Sequence, residues 1–405
     1  MVSVTLLSPS GPERRDDART AHASVSGHNR SPMSELSPPS RLLCGPGPTN
    51  AEPAVLEAMQ LPILGHMDPD LQDILLEVVD LLGRAYGASG ELVLPLQSTG
   101  TSGMETGIAS LVDPGDVVII GVNGYFGARM VEIAERWGAE VVRVDADWGE
   151  HVPNERLLGA LDDHPGARLV AIVHAETSTG VEHPLAELGA QLSGRDTLLM
   201  ADCVTSLGGV ELRVGDWGVD YAYSCTQKCL GSAPGMSPIA VSERALQRFD
   251  ARRTTLPFTF DLRLLERYWV NRPATYHHTV PVPQVYALHA ALTGVVEEGL
   301  EARWERHRAA AARFAQRIGA GGLELLADPE HRLAPLSAVR VPEGADGAAV
   351  QRELLSDHGI EVGGGLGPAA PPIWRVGLMG HNANEATADR VAGALLEVLG
   401  RTSSN

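Results

Sequence analysis

Short apolar runs constrain this chain more than any other feature. Residues 117–120, 141–144, 169–173, 198–201, 219–223 and 239–241 are such runs, not alternating ones. Runs of this kind suit strands buried on both faces. Helical patterns separate them. Leu71, Ile74, Leu75, Val78 and Leu82 fall on one helical face, and residues 104–112 read as a helix stopped by Asp113-Pro114-Gly115-Asp116. A further helix places Met130, Ile133, Ala134 and Trp137 on its buried side. Strand–helix alternation at this spacing predicts an α/β fold, a mostly parallel sheet covered by helices.

The last hundred residues read differently. A helix over 301–318 carries Trp304, His307, Ala311 and Phe314 on one side; strands are expected at 339–341 and 373–376, and a last helix near 385–400. A smaller α+β domain over 299–405 is therefore expected, after a large domain over 41–298. With 405 residues, about two or three domains are expected. Residues 1–40 are rich in Ser, Pro, Arg and Asp without an apolar period. Such a segment cannot offset its ordering entropy and is expected to be disordered. It lacks the apolar run of a secretory signal, and Met33 is expected to be the true or an alternative start.

Charge excludes some partners. The formal net charge is −19, which repels nucleic-acid backbones and anionic lipid. No run of 18 or more apolar residues is present, so no spanning helix is expected. The four cysteines, Cys44, Cys203, Cys225 and Cys229, show no ligand spacing or CxxC pair. They read as reduced thiols, and the chain is placed in the cytoplasm. No metal site is expected.

Four stretches carry chemistry. Ser98-Thr-Gly-Thr-Ser-Gly-Met-Glu-Thr-Gly107 puts glycines and hydroxyls just ahead of a helix, where free N–H groups and the dipole favour an anion. It is neither a P-loop nor GxGxxG, and an ordinary capped turn would look the same. Asp202 ends an apolar run, at the strand end where parallel sheets bind ligands; a loop carboxylate is the other reading. Lys228 stands among small residues in Tyr223-Ser-Cys-Thr-Gln-Lys-Cys-Leu-Gly. Partial burial would lower its pKa and favour Schiff-base chemistry, although a snorkelling lysine is also possible. Arg375 lies within a strand pattern and offers a fork for a carboxylate, or for a structural ion pair. Their order is more telling than any one of them. A phosphate cradle, a strand-end acid, a lysine and an arginine further on fit pyridoxal phosphate.

At this point the sequence resembles the alanine–glyoxylate (serine–pyruvate) aminotransferases, class V aminotransferases of pyridoxal-phosphate fold type I. The resemblance covers about residues 41–400. It is carried by Gly45-Pro-Gly-Pro-Thr-Asn50, Asn123-Gly-Tyr-Phe-Gly-Ala-Arg129, Glu176-Thr-Ser-Thr-Gly-Val181, Asp202-Cys-Val-Thr-Ser-Leu-Gly-Gly209, Thr226-Gln-Lys228, Tyr276-His-His-Thr-Val-Pro281 and Gly363-Gly-Gly-Leu-Gly-Pro368. It implies a seven-stranded sheet in the large domain. It implies Lys228 as the lysine that holds the cofactor aldehyde and Asp202 as the partner of the pyridine nitrogen. Thr99, Gly100, Thr101 and Gln227 occupy phosphate positions. Phe126 sits where an aromatic, usually Trp, stacks on the ring, and Thr177 where many members have Ser. Tyr276 and Thr279 match residues that reach the neighbouring subunit's phosphate, which implies a homodimer with shared sites. Arg375 matches the substrate-carboxylate arginine. Thr101 replaces a family histidine. The implied reaction is ping-pong transamination from an alanine- or serine-type donor to a glyoxylate- or pyruvate-type acceptor. Elimination, decarboxylation or carbon–carbon bond formation on the same scaffold is the alternative, and a non-catalytic pyridoxal-phosphate-binding regulator the remote one.

Overall fold

The computed structural model describes residues 36–402. Residues 36–40 are exposed and without regular structure. The expected disorder of 1–40 falls, up to residue 35, outside the described residues, as does Met33. Residues from Arg41 onward form one compact unit.

Its main sheet has seven strands. In chain order they are β1 Leu92–Leu96, β2 Val117–Val122, β3 Glu140–Asp145, β4 Leu169–Val173, β5 Leu198–Asp202, β6 Tyr221–Tyr223 and β7 Ser237–Val241. The spatial order is β1-β7-β6-β5-β4-β2-β3. Strands β3, β2, β4, β5 and β6 pair in parallel, while β7 runs antiparallel to both β6 and β1. The apolar runs explain this layer. All five residues of β4, of β5 and of β7 are buried, as strands covered on both faces require.

The helices follow the expected pattern, with adjusted ends. Helix α1, Pro69–Tyr86, starts at Asp68, whose carboxylate accepts from the Asp70 N–H at 2.9 Å. Helix α2, Gly100–Leu111, begins earlier than the apolar period predicts, so Gly100, Thr101 and Gly103 lie in its first turns and Thr99 is its cap. Helix α3 spans Tyr125–Arg136; Met130, Ile133 and Ala134 are buried on it, while Trp137 is half-exposed with Nε1 donating to Glu105.

The C-terminal part adds helices α4 Val282–Glu298, α5 Leu300–Ala320, α6 Gly347–Asp357 and α7 Glu385–Thr402. Strands β8 Leu336–Arg340, β9 Gly363–Gly364 and β10 Ile373–Gly377 form an antiparallel sheet ordered β8-β10-β9. Its core, with Phe314, Val339, Trp374 and Leu395, is a cluster apart from the main one, and Cys44 joins it. The pairing of Leu42–Leu43 with Ile360–Glu361 brings the start of the compact unit to this region. All four cysteines are buried and unpaired. Among the described residues no helix is long and apolar enough to cross a membrane, and no His/Cys/Asp/Glu group is arranged to hold a metal.

Candidate active site

At the carboxyl ends of the parallel strands lies a cavity of about 220 Å3, lined by Thr99, Gly100, Thr101, Phe126, Thr177, Asp202, Gln227 and Lys228 among others. The crevice beyond these strand ends is where such sheets bind ligands.

Asp202 is the last residue of β5 and is buried. Tyr223 Oη donates to its Oδ2 at 2.6 Å, and the Val204 N–H donates to Oδ1 at 2.9 Å. Burial pushes its pKa from 3.8 up to about 6, and the two donors oppose that rise. Each oxygen keeps acceptor capacity for one more donor.

Lys228 follows β6 and reaches the same space. Its Nζ donates to the Pro46 carbonyl. Burial holds its ammonium below the ordinary lysine range, and the charge of Arg375 pushes the same way. The chain makes room for it at Gly47, where φ is +108° and an added Cβ would lie 2.5 Å from Lys228 Cδ and 2.8 Å from Nζ. A glycine is required there twice over, by conformation and by space.

At the N-terminus of α2, Thr99 Oγ1 caps the Ser102 N–H at 3.3 Å. The first N–H groups of a helix have no partner within it. Two buried polar atoms of the cavity wall, Thr205 Oγ1 and Gln227 Oε1, have no hydrogen-bond partner among the described residues. Buried polar groups are normally paired. The free N–H groups of the helix N-terminus and the unused Thr205 hydroxyl can donate to a phosphate, and with Asp202 for a ring nitrogen and Lys228 for an aldehyde the residues fit pyridoxal phosphate.

Phe126 begins α3. The helix starts at Gly124, which has no side chain to cap it. The cap comes from a distant hairpin, Ala175–Glu176 with Val181–Glu182. Glu176 Oε2 accepts from the Phe126 and Gly127 N–H groups at 3.0 and 3.2 Å, and Ser178 Oγ from Tyr125 N–H at 2.8 Å. Glu176 Oε1 accepts from both N–H and Oγ of Ser178. Burial raises the Glu176 pKa against these donors. A Cβ on Gly124 would sit 2.4 Å from Ser178 Oγ, so the close approach needs glycine.

Thr177, on this hairpin, is buried, and its carbonyl accepts from Arg375 Nη1 at 3.5 Å. Arg375 lies on β10, 6% exposed, with Nε donating to the Gly364 carbonyl at 2.6 Å. No carboxylate pairs with it among the described residues, which leaves its charge open to a ligand; burial lowers its pKa and the Glu176 charge opposes this.

Tyr276 and Thr279 are not in the cavity wall. Tyr276 is 53% exposed, with Oη 3.4 Å from Thr279 Oγ1 and its ring 4.8 Å from that of His66. Sequence reasoning missed Tyr223, Thr205, Glu176 and Arg129 as site residues. Each lies inside a stretch that carries the family resemblance or beside one, and that placement was the available signal.

The sheet, its strand-end acid and the lysine one strand further on have the architecture of the fold type I pyridoxal-phosphate enzymes. Residues 65–384 match the family Aminotransferase class-V, and the chain belongs to it. It is 38% identical to alanine–glyoxylate aminotransferase of Oryctolagus cuniculus, over 90% of this chain and 94% of that one. It is 36% identical to (S)-ureidoglycine–glyoxylate transaminase of Bacillus subtilis (strain 168), over 90% and 92%. The crystal structure of an alanine–glyoxylate aminotransferase from Nostoc sp. superposes with a TM-score of 0.88 at 45% identity, covering 92% of this chain and 98% of that one.

Proposed function

We propose that this enzyme moves the amino group of a small amino acid, of the alanine or serine type, to glyoxylate or a similar 2-oxo acid. The observation that carries this reading is a buried, carboxylate-free Arg375 beside a cavity that holds both Lys228 and Asp202. When bound, pyridoxal phosphate supplies an electrophilic aldehyde and an electron-accepting ring. Asp202 keeps the proton on the ring nitrogen. Arg375 binds the α-carboxylate and so orients the bond to the α-proton. Lys228 Nζ, depressed in pKa by burial, would take that proton as a base and return it as an acid at the former aldehyde carbon, two bonds away. Thr99, Gly100, Thr101 and Gln227 hold the phosphate, Phe126 covers the ring face and Thr177 lines the pocket beside it. The same residues then act in reverse on the acceptor.

A homodimer with shared sites is part of this proposal. Supporting it, Tyr276 and Thr279 are absent from the wall of the chain's own cavity, and Leu56, Leu61 and Ile63 are exposed, Ile63 at 73%. The division into residues 41–298 and 299–405 is supported by the separate apolar cluster of the C-terminal sheet. A cytoplasmic location is supported by the four free thiols.

The test is a single half-reaction. The holoenzyme is mixed with alanine, serine or (S)-ureidoglycine without acceptor, and products are counted per site. One equivalent of 2-oxo acid without ammonia, followed by glycine on adding glyoxylate, is the expected result. Catalytic ammonia release would move the enzyme to elimination chemistry and overturn the reading.

A further inference from the structure

Arg129 stands in the wall of the same cavity. It lies three residues after Phe126 on α3, so both side chains project from one helical face. Its guanidinium carbon sits 5.1 Å from the Phe126 ring centroid and 4.9 Å from that of Tyr125. Its Nη1 donates to Thr101 Oγ1 at 3.2 Å, across to the first turn of α2. No carboxylate lies within ion-pair distance of it among the described residues. Elsewhere on this acidic chain Arg168, Arg263, Arg303 and Arg313 are all engaged by Asp or Glu. An arginine held by a hydroxyl and two ring faces, and left without a counter-charge, is poised for an anion.

The charges of the filled cavity indicate which anion. Of the basic residues in its wall, Lys228 is committed to the aldehyde, and only Arg129 remains. Asp202 is matched by the ring nitrogen. A phosphate monoester brings about −1.5 to −2 charges at neutral pH. The helix N-terminus, Thr99, Thr101 and the unpartnered Thr205 hydroxyl offer neutral donors to it, but no full positive charge.

We propose that Arg129 is a further cofactor-binding residue: its guanidinium is the counter-charge of the cofactor's phosphate, and its place over Phe126 ties the phosphate cradle to the aromatic face. This rests on the pyridoxal-phosphate reading above. The contact to Thr101 gives that threonine a second task, since it orients the cation as well as offering a hydroxyl.

The test compares ligands that differ only in the phosphate. Full-length wild type, Arg129→Met and Arg129→Lys are assayed as holoenzymes for cofactor retained on dialysis. After its removal they are titrated with pyridoxal phosphate, with pyridoxal and with inorganic phosphate, followed by tryptophan fluorescence. Arg129→Met should weaken pyridoxal phosphate and inorganic phosphate by about tenfold or more, the scale of a charge-assisted bond, and leave pyridoxal nearly unchanged. Arg129→Lys should recover most of the loss. Arg129→Gln, polar but uncharged, takes the place of Arg129→Met if that variant does not fold. Unchanged phosphate affinity, or equal losses for pyridoxal phosphate and pyridoxal, would overturn the inference. A wild type that takes up no pyridoxal phosphate would instead overturn the reading on which it rests.

Discussion

Asp202 makes the stability of the cofactor-free protein depend on pH in a calculable way. Burial raises its pKa from 3.8 to about 6. A raised carboxyl pKa means that the folded state binds the proton more tightly than the unfolded chain. The contribution to stability is therefore full below 3.8 and is lost as pH rises through about 6. At 1.36 kcal/mol per unit the whole effect is about 3 kcal/mol. Of this, about 2 kcal/mol falls between about pH 4.5 and 7.5. Chemical unfolding of the cofactor-free protein across that range should show wild type losing this much more stability than Asp202→Asn. Tyr223→Phe removes the 2.6 Å donor that favours the charged form, so it should enlarge the loss and move it to higher pH. On the proposal that Asp202 would pair with the ring nitrogen, adding the cofactor should flatten the dependence. Parallel curves for wild type and Asp202→Asn would refute the reasoning.

Other substitutions separate structure from chemistry. Gly47→Ala forces a non-glycine residue to a φ of +108°, at about 1–2 kcal/mol. The larger consequence should be poor cofactor occupancy, read by absorbance, because the new methyl displaces the end of Lys228. Gly393→Ala, with nothing near its added carbon, should instead raise stability by about 0.5–1 kcal/mol in thermal unfolding. Arg375→Ala should raise KM for the amino donor about 10- to 150-fold while the holoenzyme spectrum stays intact; steady-state kinetics checks this. Co-expressing Lys228→Ala with a Tyr276→Ala, Thr279→Ala chain should restore roughly a quarter of wild-type turnover, since half the dimers are mixed and each has one intact site; no recovery would argue against shared sites.

Much of this architecture is legible in the apolar runs. Six of the seven main strands lie in segments that read as strands, and Asp202 stands at a strand end, as its run predicts. Leu92–Leu96 escapes because Pro95 interrupts its pattern. The reversed direction of Ser237–Val241 also escapes, since a strand buried on both faces has no alternation to reveal its sense. Lys228 and Arg375 stand out because charges amid small or apolar residues need a reason. Glu176, Tyr223 and Arg129 do not stand out. Their significance lies in what they touch, and their partners are 50, 21 and 28 residues away in sequence.

The cap of α3 by Glu176 and Ser178 has a consequence for dynamics. A helix whose first turn is fastened only by a remote hairpin cannot fray independently of it. The amides of Tyr125, Phe126 and Gly127 should exchange with solvent at the rate at which the 175–182 hairpin opens, making them one cooperative unit. Because Thr177 of that hairpin also supports Arg375, a single local opening would dismantle the Phe126 side of the cavity and the setting of Arg375 together.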